Sequence, residues 1–334
     1  KWLHTGNLQF NYALKKGRLS VGSAAGAANL SIDDNIKTQR INRRFDVWKP
    51  FARLNYTVNS STSFNINYRG STLNPHAQQL LPYAFNNSQL VTWFDNLGLR
   101  NSFSNNFSAA YESFRSFSGA LTAITASFTA TTNPISLGMN INESGAYSLR
   151  YVNMDGYTNN VFDITGFYSR PIKSLDLQLT VDASAHGGRN FSLLNGVVNR
   201  LVYETYTFGV FGSTYKSGKY EVQLGSSASY NSNSLTQNKQ TTRNNFLSFS
   251  IKPLVDIYFG KRIRLHSDAD YLWQAKSEVF PDNFDRLLWN AWLSGSFLKD
   301  NQLTVKISAN DLLNANTGFT RTASASIFTE SRFV

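Results

Sequence analysis

The side chains best able to do chemistry lie at every second position of the segment IRLHSDADYLWQAK, residues 263–276. A β-strand turns alternate residues to opposite faces, so Arg264, His266, Asp268 and Asp270 would share one face of such a strand. Charged groups gathered in this way can line the path of a polar solute or form charge pairs with another domain. They can equally form cross-strand ion pairs in an ordinary hydrated wall, and we favour this plainer interpretation.

A second segment, SLDLQLTVDASAHGGR at residues 174–189, raises the same choice for the carboxylates of Asp176 and Asp182. Its odd positions from Leu175 to Ala185 are apolar and its even positions are polar. A period of two residues indicates a strand with one apolar face. That face must contact either a second protein layer or lipid, and the lengths and connections of the strands decide between them.

Catalysis and cofactor binding find little support in the sequence. The four histidines, at positions 4, 76, 186 and 266, have no spacing that suggests a shared metal site, and the chain has no cysteine. The Gly-x-Ser-x-Gly, P-loop and HExxH motifs are missing as well. A hydrolase would need a Ser–His pair on neighbouring strands, which the sequence alone leaves open. We therefore expect a protein that is not an enzyme and uses no cofactor.

The length of the alternating segments favours a membrane. Strands in soluble proteins average about 5–6 residues, whereas a tilted strand that crosses a bilayer needs about 9–11. Alternation continues for about that length in 175–185, 220–230 and 263–275. Charged residues make up only 16% of the chain, below the roughly 25% of soluble domains. We predict that the odd residues of 175–185 contact lipid and that the even ones face a wet lumen.

The connections between strands point the same way. Short turns at 15–18, 59–62, 216–219, 260–262 and 299–302 alternate with long polar segments, the clearest being 71–102, 231–245 and 276–285. Short turns at one end and long loops at the other are typical of outer-membrane barrels. The sequence therefore predicts an all-β, antiparallel, up-and-down transmembrane β-barrel, with roughly 14–16 strands of spanning length in this chain. His76, Tyr83 and Trp93 in segment 71–102 could bind a ligand, cover the pore or pack on neighbouring loops.

Three motifs resemble one family of membrane proteins. The segment ISANDLLNANTGFTRTASASIFTESR, residues 307–332, carries Asp311, Leu312, Leu313, Asn314, Asn316, Gly318, Arg321, Glu330 and Arg332 at matching positions. Segments 95–111 and 66–82 resemble a second and a third family motif, although Asp95 and Leu97 replace the usual Gly and Pro. The chain thus resembles the C-terminal β-barrel part of TonB-dependent outer-membrane receptors, within the outer membrane protein beta-barrel family.

This resemblance implies a barrel of about 22 strands that is filled by a plug domain, located in the bacterial outer membrane and energised through the TonB system. Uptake of an iron chelate, a glycan or a peptide is the implied function. Residues 1–334 are then expected to be a partial barrel domain without the plug, the first strands and the last strand. The alternatives are a structural barrel subunit of an outer-membrane complex and a passive porin.

The expected partners are the outer-membrane lipids, the TonB system through an N-terminal part, and a surface lipoprotein or envelope complex. The net charge of +11 would also suit nucleic acid, but the basic residues are dispersed over turns and lumen positions. We therefore expect no nucleic-acid partner.

Overall fold

The structure is a computed structural model that describes residues 2–34, 38–81, 90–316, 318–323 and 328–333. The strands within these residues are, in chain order, β1 (Trp2–Leu14), β2 (Gly17–Asp34), β3 (Gln39–Asn59), β4 (Thr62–Leu73), β5 (Val91–Phe94), β6 (Ser102–Arg115), β7 (Ala120–Thr132), β8 (Ile135–Ile141), β9 (Tyr147–Asn153), β10 (Thr158–Ile172), β11 (Leu177–Leu194), β12 (Val197–Lys216), β13 (Tyr220–Gln237), β14 (Gln240–Phe259), β15 (Ile263–Gln274), β16 (Phe284–Phe297), β17 (Leu303–Ala309), β18 (Gly318–Ala323) and β19 (Phe328–Phe333). One short helix, α1 (Ala77–Leu80), follows β4.

Fourteen of these strands form one continuous antiparallel sheet, which we call the wall. They pair in the order β1-β2-β3-β4-β6-β7-β10-β11 and then consecutively to β17. The up-and-down prediction is confirmed, and the strand number agrees with it. Within the described residues β1 and β17 do not pair with each other, so the wall is open there. The hairpin β18–β19 forms a separate sheet.

The two faces of the wall differ as the alternation predicts. On one face large apolar side chains are exposed, for example Phe208 at 55% and Leu247 at 53%. The neighbouring inward positions are polar, and Thr207 and Ser229 share a hydrogen bond of 2.8 Å across β12 and β13. We call the polar side the lumen face, because residues from several non-adjacent strands of this side line one cavity. The opposite side is the apolar face.

The connections alternate in length, but not everywhere as predicted. Segment 71–102 contains a long connection between β4 and β6, and residues 275–283 form a loop between β15 and β16. The prediction of a loop at 231–245 was wrong. Strands β13 and β14 continue through this polar segment and turn only at Asn238 and Lys239, whose φ angles are 49° and 65°. Strand pairing needs no apolar face where the hairpin extends into water.

The connection between β4 and β6 and the connection between β7 and β10 fold together into a cap at the loop end of the wall. We define the cap as residues 74–81, 90–101 and 133–157; it contains α1, β5, β8 and β9, with β5 parallel to β9. Its small core consists of Leu80, Leu81 and Leu99, which pack against residues of β2, β3, β8 and β9. Strand β8 also pairs briefly with the end of β11, which attaches the cap to the wall. Among the described residues no helix is long and apolar enough to span a membrane.

Candidate functional site

A charged cluster on the lumen face joins β14 and β15. Hairpin register places Asp256 of β14 opposite His266 of β15. The Asp256 carboxylate, whose side chain is only 3% exposed, accepts two hydrogen bonds from the Arg264 guanidinium, at 2.9 and 2.8 Å. The Nδ1 atom of His266 lies 2.9 Å from the same carboxylate. A bidentate arginine pair of this kind combines charge with fixed geometry.

The cluster continues across β16 towards the C-terminal motif. The Nε2 atom of His266 lies 3.1 Å from Asp268, and the Asn290 amide donates to the other oxygen of Asp268 at 2.9 Å. The Asn290 side-chain oxygen accepts a 3.0 Å hydrogen bond from the backbone N–H of Asp311. We call Asp256, Arg264, His266, Asp268, Asn290 and Asp311 the lumenal network. It ties three wall strands to the turn that follows β17.

The aromatic side chain of Trp292 packs against residues of the lumenal network. The Trp292 ring stacks on His266 with centroids 4.9 Å apart and an interplanar angle of 14°. The Arg264 guanidinium carbon lies 5.0 Å and the Lys306 Nζ atom 4.4 Å from the centroid of the Trp292 ring. Cations at these distances are attracted by the face of an indole ring. The groups of the network therefore find their partners in one another, which favours the interpretation as a hydrated wall with cross-strand pairs.

A cavity of about 510 Å³ lies on the lumen face beneath the cap, and we call it the loop-end chamber. From the cap, His76 and Gln79 contribute to its lining, and Lys49 of β3 brings a positive charge. The other lining residues have amide, hydroxyl or aliphatic side chains: Leu3, Val47, Ser71, Thr72, Leu73, Asn74, Ser102, Thr131, Pro134, Ile135, Asn159, Val161 and Asn190. The buried Oδ1 atom of Asn74 accepts no hydrogen bond from the described residues.

Hydrogen bonds fix the cap above this chamber. The Asn96 amide donates to the backbone oxygen of Tyr151 at 2.8 Å, and the Arg43 guanidinium of β3 donates to the backbone oxygen of Leu99 at 2.9 Å. Asn153 accepts from the backbone N–H of Arg100 at 2.8 Å and donates to the Arg100 carbonyl at 3.0 Å. The chamber therefore has a folded roof that is bound to the wall.

A family model described as the outer membrane protein beta-barrel family matches residues 3–334. The chain belongs to this family. Its localisation is accordingly the bacterial outer membrane, and its apolar face contacts the lipid bilayer. The resemblance seen in the sequence is thereby confirmed at the level of the barrel family.

Two solved structures are similar to this outer membrane β-barrel protein. The ferric-catecholate import receptor Fiu from E. coli K12 shares 8% identity with a TM-score of 0.47, over 92% of this chain and 57% of the receptor. The chain thus spans little more than half the length of that receptor. The outer membrane protein OmpT of Vibrio cholerae shares 12% identity with a TM-score of 0.28, over 82% of this chain and 94% of OmpT. No curated protein matches the chain.

Within this outer membrane β-barrel protein the candidate lumen residues are divided among several places. Arg264, His266 and Asp268 meet in the lumenal network, while Asp270 forms a separate ion pair of 3.3 Å with Lys252. Asp182 lies on the lumen face of β11, with its carboxylate directed towards Gly209 of β12.

The placement of Asp176 on a wall strand was wrong. Its φ of 48° puts it in the left-handed region, at the end of a 3₁₀ turn formed by Lys173–Leu175. Strand β11 begins only at Leu177, so Leu175 also lies outside the wall. Asp tolerates this backbone conformation better than most residues do.

The three loop candidates also separate. His76 lines the loop-end chamber, whereas the Trp93 ring stacks on Tyr151 within the cap at 5.6 Å. Tyr83 lies outside the described residues. No group of three or more metal-binding side chains occurs in the described part of the chain.

Sequence reasoning missed Asp256, Asn290 and Lys49. The signal for Asp256 was available, because the tight turn at 260–262 sets Phe259 opposite Ile263 and therefore Asp256 opposite His266. Lys49 carried no such local signal, since its neighbours in the chamber come from distant parts of the chain.

Proposed function

We propose that this outer membrane β-barrel protein is the barrel part of a TonB-dependent receptor that imports a nutrient. The observation that carries the proposal is the loop-end chamber, which lies between a folded cap and the lumen face. Such a cap would restrict the free diffusion on which a passive pore depends. A receptor, in contrast, needs a place where a solute is held before it is transported.

The proposal also accounts for the open edges of the wall. Backbone N–H and C=O groups at membrane depth must all be paired, so a barrel has to close. Strands β1 and β17 have such groups free of a second wall neighbour within the described residues. In the proposed receptor, further strands complete a barrel of about 22 strands, and a plug domain fills the wide lumen of such a barrel.

The lining of the chamber narrows the chemistry of the nutrient. Among its described residues it presents Lys49, His76 and several amides and hydroxyls, but no carboxylate. A cationic ligand would find no counter-charge there. The chamber thus favours a neutral or anionic polar solute, which is compatible with an anionic iron chelate, a glycan or an acidic peptide.

Growth experiments test this function directly. A strain without the gene is compared with the parent on a ferric catecholate as sole iron source, a glycan as sole carbon source and a peptide as sole nitrogen source. We expect loss of growth on one of these, and the same loss when TonB is removed instead. The Lys49→Gln variant should reduce uptake on that medium, whereas Lys252→Gln, on the lumen face outside the chamber, should restore parental growth.

Two other outcomes would contradict the receptor. Unchanged growth on every medium, together with stoichiometric co-purification of envelope proteins, would assign the chain to a structural complex. Large single-channel conductance of the purified full-length protein, combined with TonB-independent uptake, would make it a passive porin.

A further inference from the structure

A shallow apolar groove of about 500 Å³ crosses the apolar face between β10 and β14. Its floor consists of small side chains, Ala183, Ala185 and Ala228. Bulky side chains of β10, β12, β13 and β14 border this floor: Ile164, Tyr206, Phe208, Tyr230 and Leu247. The groove is thus a depression in the surface that the bilayer covers.

Strand register explains why the groove exists. Ala183, Phe208 and Ala228 are direct neighbours in one ladder row across β11, β12 and β13. In the next row towards the loop end, Ala185 lies beside Tyr206, which lies beside Tyr230. Small and large side chains therefore alternate on a face where no protein layer fills the gaps.

Three arginines lie beyond the groove towards the loop end, on the same face, and the ladder row of Gly187 and Glu204 separates them from the groove. Arg189 and Arg243 belong to one ladder row, separated by Val202 of β12 and Ser234 of β13. Three strand spacings put their backbones roughly 14 Å apart. Arg200 of β12 lies between them, one outward position nearer the loop end.

These arginines have few counter-charges nearby. In the loop-side halves of β11 to β14, as far as the structure describes them, Glu204 is the one carboxylate at an outward position, and it accepts a 3.0 Å hydrogen bond from Tyr206. Arg200 and Arg243 are exposed. The buried Nε atom of Arg189 has no hydrogen-bond partner among the described residues. The patch therefore keeps a net positive charge.

We propose that the groove and the three arginines form one binding site for a phosphate-bearing lipid of the surrounding membrane. An acyl chain lies in the groove over Ala183 and Ala228, and the phosphate lies among Arg189, Arg200 and Arg243. A guanidinium group donates paired hydrogen bonds to phosphate oxygens. The methylene groups of the acyl chain pack more closely on the apolar floor of the groove than they would on a flat surface. The site is independent of any transport by the lumen.

The order of the two surfaces identifies the ligand chemistry. A protein partner could bury the groove, but it would first have to displace the bilayer that covers this face. A soluble anion would use the arginines and leave the groove empty. Only an amphipathic molecule with an apolar chain and an anionic head matches an apolar groove and a cationic patch that lies two ladder rows farther towards the loop end.

Native mass spectrometry of the full-length protein in detergent tests the site. The probes are phosphatidylglycerol, zwitterionic phosphatidylcholine, diacylglycerol without phosphate, and inorganic phosphate. We expect phosphatidylglycerol to bind best and inorganic phosphate not to displace it. The triple variant Arg189→Gln/Arg200→Gln/Arg243→Gln should lower its affinity by at least about tenfold, given roughly 1 kcal/mol per basic residue.

Two further variants make the test specific. Ala228→Phe fills the groove and should weaken phosphatidylglycerol and diacylglycerol together. Arg44→Gln, an exposed outward arginine on β3 away from the groove, should leave both unchanged. The proposal is overturned if the triple variant binds phosphatidylglycerol within twofold of the unaltered protein, if phosphatidylcholine binds equally well, or if inorganic phosphate displaces the lipid.

Discussion

The buried carboxylate of Asp256 shows how single residues are stabilised on the lumen face. A charged group that is 3% exposed is costly unless hydrogen bonds and an opposite charge compensate the lost water. Arg264 and His266 both supply such contacts from the neighbouring strand. The cost of removing one partner should therefore exceed the cost of removing an exposed lumen pair.

Replacing Arg264 by Gln should destabilise the barrel by about 2–3 kcal/mol, because it leaves the Asp256 carboxylate buried beside a neutral side chain. The value lies below the range for fully buried pairs, since the guanidinium side chain is 40% exposed. Urea unfolding in detergent micelles, followed by tryptophan fluorescence, measures the change.

The matched control is Lys252→Gln, which breaks the ion pair with Asp270 on the same lumen face. Lys252 is 63% exposed, so this variant should cost less than about 1 kcal/mol. Equal losses for the two variants would show that burial of Asp256 has no special energetic role.

The turn after β17 depends on one carboxylate. Asp311 accepts hydrogen bonds from the backbone N–H groups of Ala315 at 2.8 Å and Asn316 at 3.0 Å, while its own φ is 52°. Asp311→Ala should loosen this turn by about 2 kcal/mol, since both bonds to a charged acceptor disappear. Amide hydrogen exchange at residues 311–316 should become faster, and less so in Asp311→Asn. Unchanged exchange in both variants would contradict this role.

For single residues, the sequence predicts the strand face on which a side chain lies better than it predicts the hydrogen-bond partner of that side chain. The face shared by Arg264, His266 and Asp268 follows from alternation alone, as does the inward position of Asp182. The bond from Asn290 to the Asp311 backbone depends on the path of the chain after β17, which no local pattern reveals. The prediction for Asp176 was wrong because the alternating pattern of the sequence begins one residue pair before β11 itself begins.

Among the elements, the hairpin of β13 and β14 shows where reasoning from polarity fails. Except for Leu235, residues 231–245 are polar on both faces, which is typical of a loop in a spanning-barrel pattern. The turn residues Asn238 and Lys239, both at positive φ, instead continue the ladder to its tip. An asparagine at a two-residue turn is a hairpin signal, so the sequence does indicate this turn. The prediction missed it because it assumed strands only as long as a membrane crossing requires.

The cap should be separable from the wall in stability. Leu99 is fully buried in the cap core and packs with Leu80. Leu99→Ala should therefore destabilise the cap by about 2–5 kcal/mol while the wall remains folded. Limited proteolysis in detergent should show much faster cleavage within residues 90–101, and the barrel should keep its heat-modifiable mobility on gels.

Leu97→Ala is the control within the same segment, because Leu97 is 38% exposed and lies outside the core. It should leave the cleavage rate nearly unchanged. If Leu99→Ala also abolished heat-modifiable mobility, the cap and wall would unfold as one unit and the separation would be wrong.

For the whole molecule, the two faces of the wall meet different solvents. The apolar face carries stacked or tilted aromatic pairs, such as Trp48 with Phe103 at 5.3 Å and Tyr68 with Phe107 at 4.9 Å. The lumen face carries the amides, hydroxyls and ion pairs described above. Because side chains alternate with a period of two, adjacent residues of one strand sample hydrocarbon and water.

Neighbouring positions on β4 therefore give the sharpest test of the architecture. Ile66 lies on the apolar face and is 51% exposed, whereas Asn65 lies on the lumen face. Ile66→Arg should destabilise the barrel by about 2–4 kcal/mol, because Ile66 lies near the middle of β4 and a guanidinium there would have to enter the hydrocarbon. Asn65→Arg places the same group in the hydrated lumen and should cost less than about 1 kcal/mol. Reversible unfolding in liposomes measures both, and a larger loss for Asn65→Arg would mean that the two faces had been assigned the wrong way round.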